Sequence, residues 1–238
     1  MLIYKFPLLF TLIVLLAPLP AQCQNEDAED ESAGKLQEYE VLFDGSSLDK
    51  WRGYAKEEIG KGWKIDGDTL HFDGSGGGDI ITKATFDDFE LEFEWKVSKG
   101  GNSGIMYRVS LGDGAPYISG PEYQILDNDG HADGKSSLTS AASLYGLIEA
   151  SGEGPKPVGE WNHAKIVLKG ALIEHWLNGE KVVAIEIGSD DWNERLAKSK
   201  FRDWKKFAKN DSGHIAFQDH GDPVWFRNIK IRSLSAKD

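Results

Sequence analysis

Nine consecutive residues, Phe89-Glu-Leu-Glu-Phe-Glu-Trp-Lys-Val97, alternate apolar and charged without a break. Only an extended strand with one buried face sorts them. Phe89, Leu91, Phe93, Trp95 and Val97 then point to a core, while Glu90, Glu92, Glu94 and Lys96 point away. A strand with so apolar a face needs a sheet around it, and the chain supplies one. Trp63 to Phe72 reads as a hairpin turning at Asp66-Gly67, and Trp161–Lys169, Ala171–Leu177 and Lys181–Ile187 read as a meander. The second turn of that meander is Asn178-Gly179, a pair whose members both tolerate positive φ. Gly213–His220 and Val224–Leu234 add two further strands. Strands at such short spacing, joined by hairpins, imply an all-β fold of two packed antiparallel sheets. One helix interrupts it. Asp191 is its expected N-cap, with Glu194 three residues on. Trp192, Leu196, Ala197, Phe201, Trp204 and Ala208 carry the helical period onward, to cover an edge or end of a sheet.

The 238 residues suit one such domain, and eight Trp, eleven Phe and seven Tyr exclude disorder as the main state. A net charge of -12 repels phosphate backbones, so nucleic acid is not an expected partner. The single Cys leaves no internal disulfide and no Cys-based metal motif. Residues 1–22 read as a signal peptide: Lys5, then an apolar run of about 15 residues that is short for a membrane span, then Ala21-Gln22-Cys23. Cys23 also fits a lipid anchor, but Gln22 stands where that signal wants a small residue. Soluble export to the periplasm or beyond is therefore preferred over lipid anchoring. Residues 23–40 form an acidic linker, and residues 41–238 form the β domain.

Candidate site residues are the polar side chains that serve poorly as mere solvation. Asn102, Gly104, Met106 and Arg108 share one face of a strand; Glu122 and Gln124 share another; His214, Gln218 and His220 share a third. Either His175 or Trp176 must face the polar side of its strand. An isolated His more often bonds a loop carbonyl, and Arg108 could equally pair with a surface acid. Glu94 stands between a groove and a solvated face. The loop Asp127-Asn-Asp-Gly-His-Ala-Asp-Gly134 resembles a calcium turn only loosely, because it lacks the spacing and closing Glu of an EF-hand. No phosphate loop or GxSxG elbow is present. Carboxylates, amides and an exposed indole together suit hydroxyl-rich ligands. The residues thus point to an exported β-sandwich that binds carbohydrate and has groups for acid–base chemistry. A noncatalytic lectin-like module is the alternative.

The segments Leu42-Phe-Asp-Gly-Ser-Ser-Leu-Asp-Lys-Trp-Arg52, Phe89–Trp95, Gly101-Asn-Ser-Gly-Ile105, Gly120-Pro-Glu-Tyr-Gln-Ile-Leu-Asp127, Gly159-Glu-Trp-Asn162, His175-Trp-Leu-Asn-Gly179, Gly213-His-Ile-Ala-Phe-Gln-Asp-His-Gly221 and Val224-Trp-Phe-Arg-Asn-Ile-Lys-Ile231 occur in this order. In that combination the chain resembles the 3-keto-disaccharide hydrolase domain family over residues 41–234. The resemblance implies a concanavalin A-like jelly-roll sandwich and action on glycosides already oxidised at C3 by a partner sugar 3-dehydrogenase. A ketone at C3 acidifies the C2 proton, so a base, an acid and a group to hold the C3 oxygen are required. Expected for catalysis are His220, Glu122, Glu94 and Asp127. Expected for substrate binding are Asn102, Arg108, Gln124, Trp176, His214 and Gln218. No cofactor is expected, and a role for a divalent metal stays open.

Mass spectrometry of the exported protein is expected to find an N-terminus between Gln22 and Gln24. A diacylglyceryl group on Cys23 would instead establish lipid anchoring.

Overall fold

The computed structural model describes residues 1–3, 37–112 and 114–235. All but the first three residues of the expected signal segment, and Cys23, lie outside these residues. Among the described residues, no helix is long and apolar enough to cross a membrane.

Among the described residues, thirteen strands form two antiparallel sheets. They are β1 (Glu40–Phe43), β2 (Trp51–Gly53), β3 (Trp63–Asp66), β4 (Thr69–Phe72), β5 (Ile80–Thr82), β6 (Phe89–Val97), β7 (Asn102–Val109), β8 (Glu122–Leu126), β9 (Asn162–Lys169), β10 (Leu172–Leu177), β11 (Glu180–Glu186), β12 (His214–Phe217) and β13 (Val224–Ser233). The larger sheet runs β11-β10-β9-β6-β13-β4-β3, with β1 also on β13; the smaller runs β2-β5-β12-β7-β8. This is the two-sheet sandwich expected from the alternation and the hairpins.

Each sheet turns one face inward. From the larger come Phe89, Leu91, Phe93, Trp95 and Val97, with Ile166, Leu168 and Phe226; from the smaller come Ile105, Tyr107, Tyr123, Ile125 and Phe217, all buried. Aromatic rings bridge the layers. Phe217 lies 4.8 Å from Trp51 and 4.6 Å from Phe226, and Phe93 meets Tyr123 edge-on at 5.8 Å. On the far face of the larger sheet the charged residues of β6 pair with β13: Glu90 with Arg232, Glu92 with Lys230 and Glu94 with Arg227. Tyr39 donates from its hydroxyl to both Glu90 and Glu92, which ties the segment before β1 to this face.

The turns follow their residue chemistry. Asn178 and Gly179 take φ of 51° and 91°, the left-handed pair that a tight hairpin needs. The β3–β4 turn sits one residue later than expected, at Gly67-Asp68, because Asp66 pairs with Thr69. The helix α1 (Asp190–Lys198) is shorter than its period implied and starts earlier, at a Ser189 cap whose Oγ accepts from Trp192 N–H. It stops at Ser199, whose hydroxyl donates to Leu196 O and accepts from Phe201 N–H. Phe201 and Phe207 then stack at 4.1 Å in a non-helical segment. Capping chemistry ended the helix where apolar spacing alone would have extended it.

His175 settles the choice between itself and Trp176: it points inward. It is fully buried, its Nδ1–H donates to Ala142 O (3.0 Å), and its Nε2 accepts from the Tyr107 hydroxyl (3.0 Å). Burial holds its pKa down at about 4, against about 6.5 for an exposed imidazole. The unfolded chain therefore binds a proton near pH 6.5 that the folded chain refuses until about pH 4. Stability from this group is intact above pH 6.5 and is lost as pH falls toward 4, by roughly 3 kcal/mol in all. Urea unfolding of wild type and His175→Phe at pH 7.5, 6, 5 and 4 is expected to show a shallower decline in the variant. Parallel declines would exclude His175 as the cause.

Candidate active site

The outer face of the smaller sheet gathers most of the expected polar residues. Alternation turns Asn102, Gly104 and Met106 outward on β7, and the register sets Gly104 beside Gln124 and Met106 beside Glu122. Gln218, just past β12, donates its N–H to Gly104 O (3.0 Å) and so joins them from the other side. Above this face lie the loops between β7 and β9 and the segment after α1, tied down by Ala208 N–H to Ser119 O (2.9 Å). Between sheet and cover is a cavity of about 390 Å³, into which Asn102, Glu122, Gln124, Gln218 and His220 converge. Asp79, Tyr117, Asp133, Tyr145, Lys200, Phe201 and Asp219 complete its wall.

Gly104 makes this possible. A Cβ there would collide with Oε1 of Glu122; glycine leaves room for the carboxyl to lie flat on the sheet. In that position Glu122 is buried, and loss of solvent lifts its pKa to about 8; Lys200 acts against the shift, and the charges of Asp79 and Asp133 add to it. Asp79 is raised to about 6, again mainly by burial, although the N–H of Asp219 donates to its carboxylate (2.8 Å). Lys200 is the one lysine or arginine among the described residues of the wall. Its ammonium sits 4.3 Å from the centre of the Tyr145 ring, and burial lowers its pKa, opposed by Glu122 and Asp133. The Tyr145 hydroxyl donates to Asp133 (3.3 Å).

Two acceptors in this wall are unsatisfied. Oδ1 of Asn102 and Oε1 of Gln124 are buried without a partner, while the Gln124 amide donates to Thr139 O (3.3 Å). Buried acceptors of this kind are costly. A ligand rich in hydroxyl donors would satisfy them.

The other expected residues lie elsewhere. Arg108 occupies a bulge in β7 with φ of 53°, between the His214–Val109 and Ala216–Met106 pairs. The bulge breaks the alternation, and the guanidinium is sealed against Gly170 O (2.9 Å), Asp87 O and Asp88. His214 donates to Thr82 O (2.8 Å) and serves as a strand tie. Glu94 belongs to the other sheet, held by Arg227 and Asn228. Trp176 also faces outward there, with Lys165 4.2 Å over its ring. Asp127 binds the N–H groups of Gly100 and Asp129 in a loop, and these hold its carboxyl below the ordinary range against the effect of burial. Sequence reasoning missed Asp79, Tyr145 and Lys200. Each lies outside the alternating strand patterns it followed, and only the fold brings the three together.

Residues 38–232 match the model of the 3-keto-alpha-glucoside-1,2-lyase-like domain. A 3-keto-disaccharide hydrolase of Bacteroides thetaiotaomicron is 42% identical over 227 residues, covering 82% of this chain and 78% of that protein. The crystal structure of a candidate glycosyl hydrolase from Parabacteroides distasonis superposes with a TM-score of 0.77 at 32% identity, over 83% of this chain and 94% of its own. A Bacillus subtilis protein with a galectin-like fold aligns over 84% of this chain and 96% of its own, with a TM-score of 0.51 at 12% identity. At that identity it speaks for the fold alone, a jelly-roll sandwich of the concanavalin A-like kind.

The Glu122 carboxyl carries a consequence for stability. Folding raises its pKa from about 4.5 to about 8, so the folded state holds a proton that the unfolded state releases. Stability is thus lost as pH rises from about 4.5 through 8. Glu122→Gln keeps the shape and removes the titration. The variant is expected to melt higher than wild type at pH 8.5 and to show little difference at pH 4.5. An equal difference at both pH values would place the carboxyl in water.

Proposed function

The chain belongs to the 3-keto-alpha-glucoside-1,2-lyase-like family, and we propose that this glycoside hydrolase acts on sugars already oxidised to a ketone at C3. The bond would break after loss of the proton at C2. The observation that carries the reading is Glu122, a buried carboxyl with a pKa of about 8, in a cavity lined by unsatisfied amide acceptors. Such a cavity suits a ring bearing many hydroxyls. Lys200, the one lysine or arginine among the described residues of the wall, answers the need for positive charge beside a developing enolate.

Glu122, ionised, takes the C2 proton, and the electron pair moves into the C2–C3 bond to leave negative charge on the C3 oxygen. Lys200 holds that oxygen; Arg108, expected for substrate binding, is sealed too far into the fold edge to reach the cavity. As the ketone re-forms, the C1–O bond breaks, and Asp79, with a pKa of about 6, donates its proton to the leaving oxygen. Water then adds across the C1–C2 double bond: its oxygen goes to C1, its released proton returns to Asp79, and Glu122 gives C2 the proton it took. Of Glu122 and His220, both expected for catalysis and both at the cavity, Glu122 is the buried one. His220 stands at the mouth with 41% of its side chain exposed. A base of raised pKa is strong once ionised, and with Glu122 ionised while Asp79 keeps its proton, activity follows a bell with its maximum between about pH 6 and 8. An oxidising step at C3, of the sugar 3-dehydrogenase class, must supply the substrate.

Assays of purified protein on 3-keto-trehalose, 3-keto-lactose and their parent sugars are expected to show turnover of keto forms alone. Glu122→Gln should reduce turnover about 10²-fold or more, with exchange of the C2 proton into deuterated water falling in step. Equal action on the parents would mean an ordinary glycosidase. Binding without turnover would favour the lectin-like alternative.

A further inference from the structure

We infer that Asn102, His131 and His220 form a site for a divalent first-row transition metal at the mouth of the cavity, with Asp222 behind His220. The inference rests on the cavity described above and not on the sugar assigned to it. His131, His220 and Asp222 offer ligand atoms that all lie within 4.8 Å of one another. The Asn102 side-chain amide stands 3.5 Å from Nε2 of His131 and 3.4 Å from Nε2 of His220. Three ligands around a tetrahedral ion with bonds of about 2.0–2.2 Å are separated by roughly 3.3–3.6 Å. The spacing of the Asn102–histidine contacts fits that polyhedron.

A second observation points the same way. Asn102 is 2% exposed and its Oδ1 has no hydrogen-bond partner. The two ends of an amide differ only by assignment. Turned over, the orphaned oxygen takes the place between the two imidazoles, where an ion would bind it. Asp222 then has a distinct task. Its carboxylate lies 3.7 Å from Nδ1 of His220, a contact that a small side-chain rotation closes to the hydrogen bond by which a carboxylate orients a ligating imidazole. His131 is held differently: its Nδ1 accepts the N–H of Asp133 (3.1 Å), which puts the ring proton on Nε2 in the metal-free protein. Coordination through Nε2 moves that proton to Nδ1 and opens the bond from Asp133, a neutral hydrogen bond at a half-buried place. Imidazole nitrogens favour zinc, cobalt, nickel or copper over calcium and magnesium. Three protein ligands leave coordination positions open at the mouth, where sugar or water oxygens can bind.

The full chain, stripped with a chelator and dialysed, should be titrated with Co(II) and Zn(II) without any sugar. One equivalent of Co(II) is expected to bind with a nitrogen-ligated absorption spectrum and to be displaced by Zn(II). His131→Ala, His220→Ala and Asn102→Ala should each weaken binding at least 10-fold, Asp222→Asn about 10-fold, and Glu94→Gln on the other sheet not at all. In ¹⁵N-labelled wild type, which needs no variant to fold, Zn(II) should shift the ring nitrogens of His131 and His220 and the amide of Asp133. Absence of stoichiometric binding, unmoved ring nitrogens, or binding that survives loss of both histidines would each overturn the site. Because sugar is absent throughout, failure here leaves the reading of the substrate untouched.

Discussion

Phe217 is wedged between the sheets against Trp51 and Phe226, and its strand neighbours on each side, Ala216 and Gln218, face the opposite way. The side-chain period of a strand is two, so fixing one inward aromatic fixes every outward residue with it. β12 is thereby locked in register against β5 and β7, and Gln218 reaches Gly104. The same holds on β8, where buried Tyr123 and Ile125 set Glu122 and Gln124 on the outer face. The site is the reverse side of the core. A slip of one residue would bury the amides and expose the aromatics.

Removing water from that reverse side creates the chemistry. An open sheet face would leave Glu122 an ordinary acid. The loops between β7 and β9 and the segment after α1 close over it, and the carboxyl is lifted to about 8 because its charged form has lost its solvent. Lys200 and Tyr145 belong to this cover. Ser199 ends the helix just before Lys200, so a local capping event decides where the cation stands. The same burial is a cost to the fold, offset by the packing of Phe201 on Phe207 and of both sheets on one another.

The two sheets divide the labour. The far face of the larger sheet is a lattice of cross-strand ion pairs, Glu90–Arg232, Glu92–Lys230 and Glu94–Arg227, with Tyr39 bridging two of the acids. Each of the three acids there has a cationic partner. The smaller sheet leaves Asn102 and Gln124 acceptors unpaired beneath the cavity. Satisfied polarity serves stability; unsatisfied buried polarity marks where a ligand completes the structure.

By itself the sequence determined what depends on neighbours along the chain. The alternation of Phe89–Val97, the Asn178-Gly179 turn and the hairpin around Gly67 follow from side-chain period and backbone sterics, and they suffice for a two-sheet sandwich. The unusual polar residues of β7, β8 and β12 were legible for the same reason: a strand displays every second residue, so Asn102, Glu122, Gln124 and Gln218 stood out on the polar faces of their strands, and the pairing of those strands then joined the faces. Tertiary structure decided the rest. The bulge at Arg108 depends on the pairing of β7 with β12, and it carried an expected site residue out of reach. Glu94 satisfies the same alternation as Glu122 but lies on the other sheet, a distinction no periodicity contains. Asp79, Asp133, Tyr145 and Lys200 come from separate loops and covering segments, and their acidity and charge acquire meaning only where folding excludes water. Which carboxyl becomes a base is thus a property of burial, and burial is a property of the whole fold.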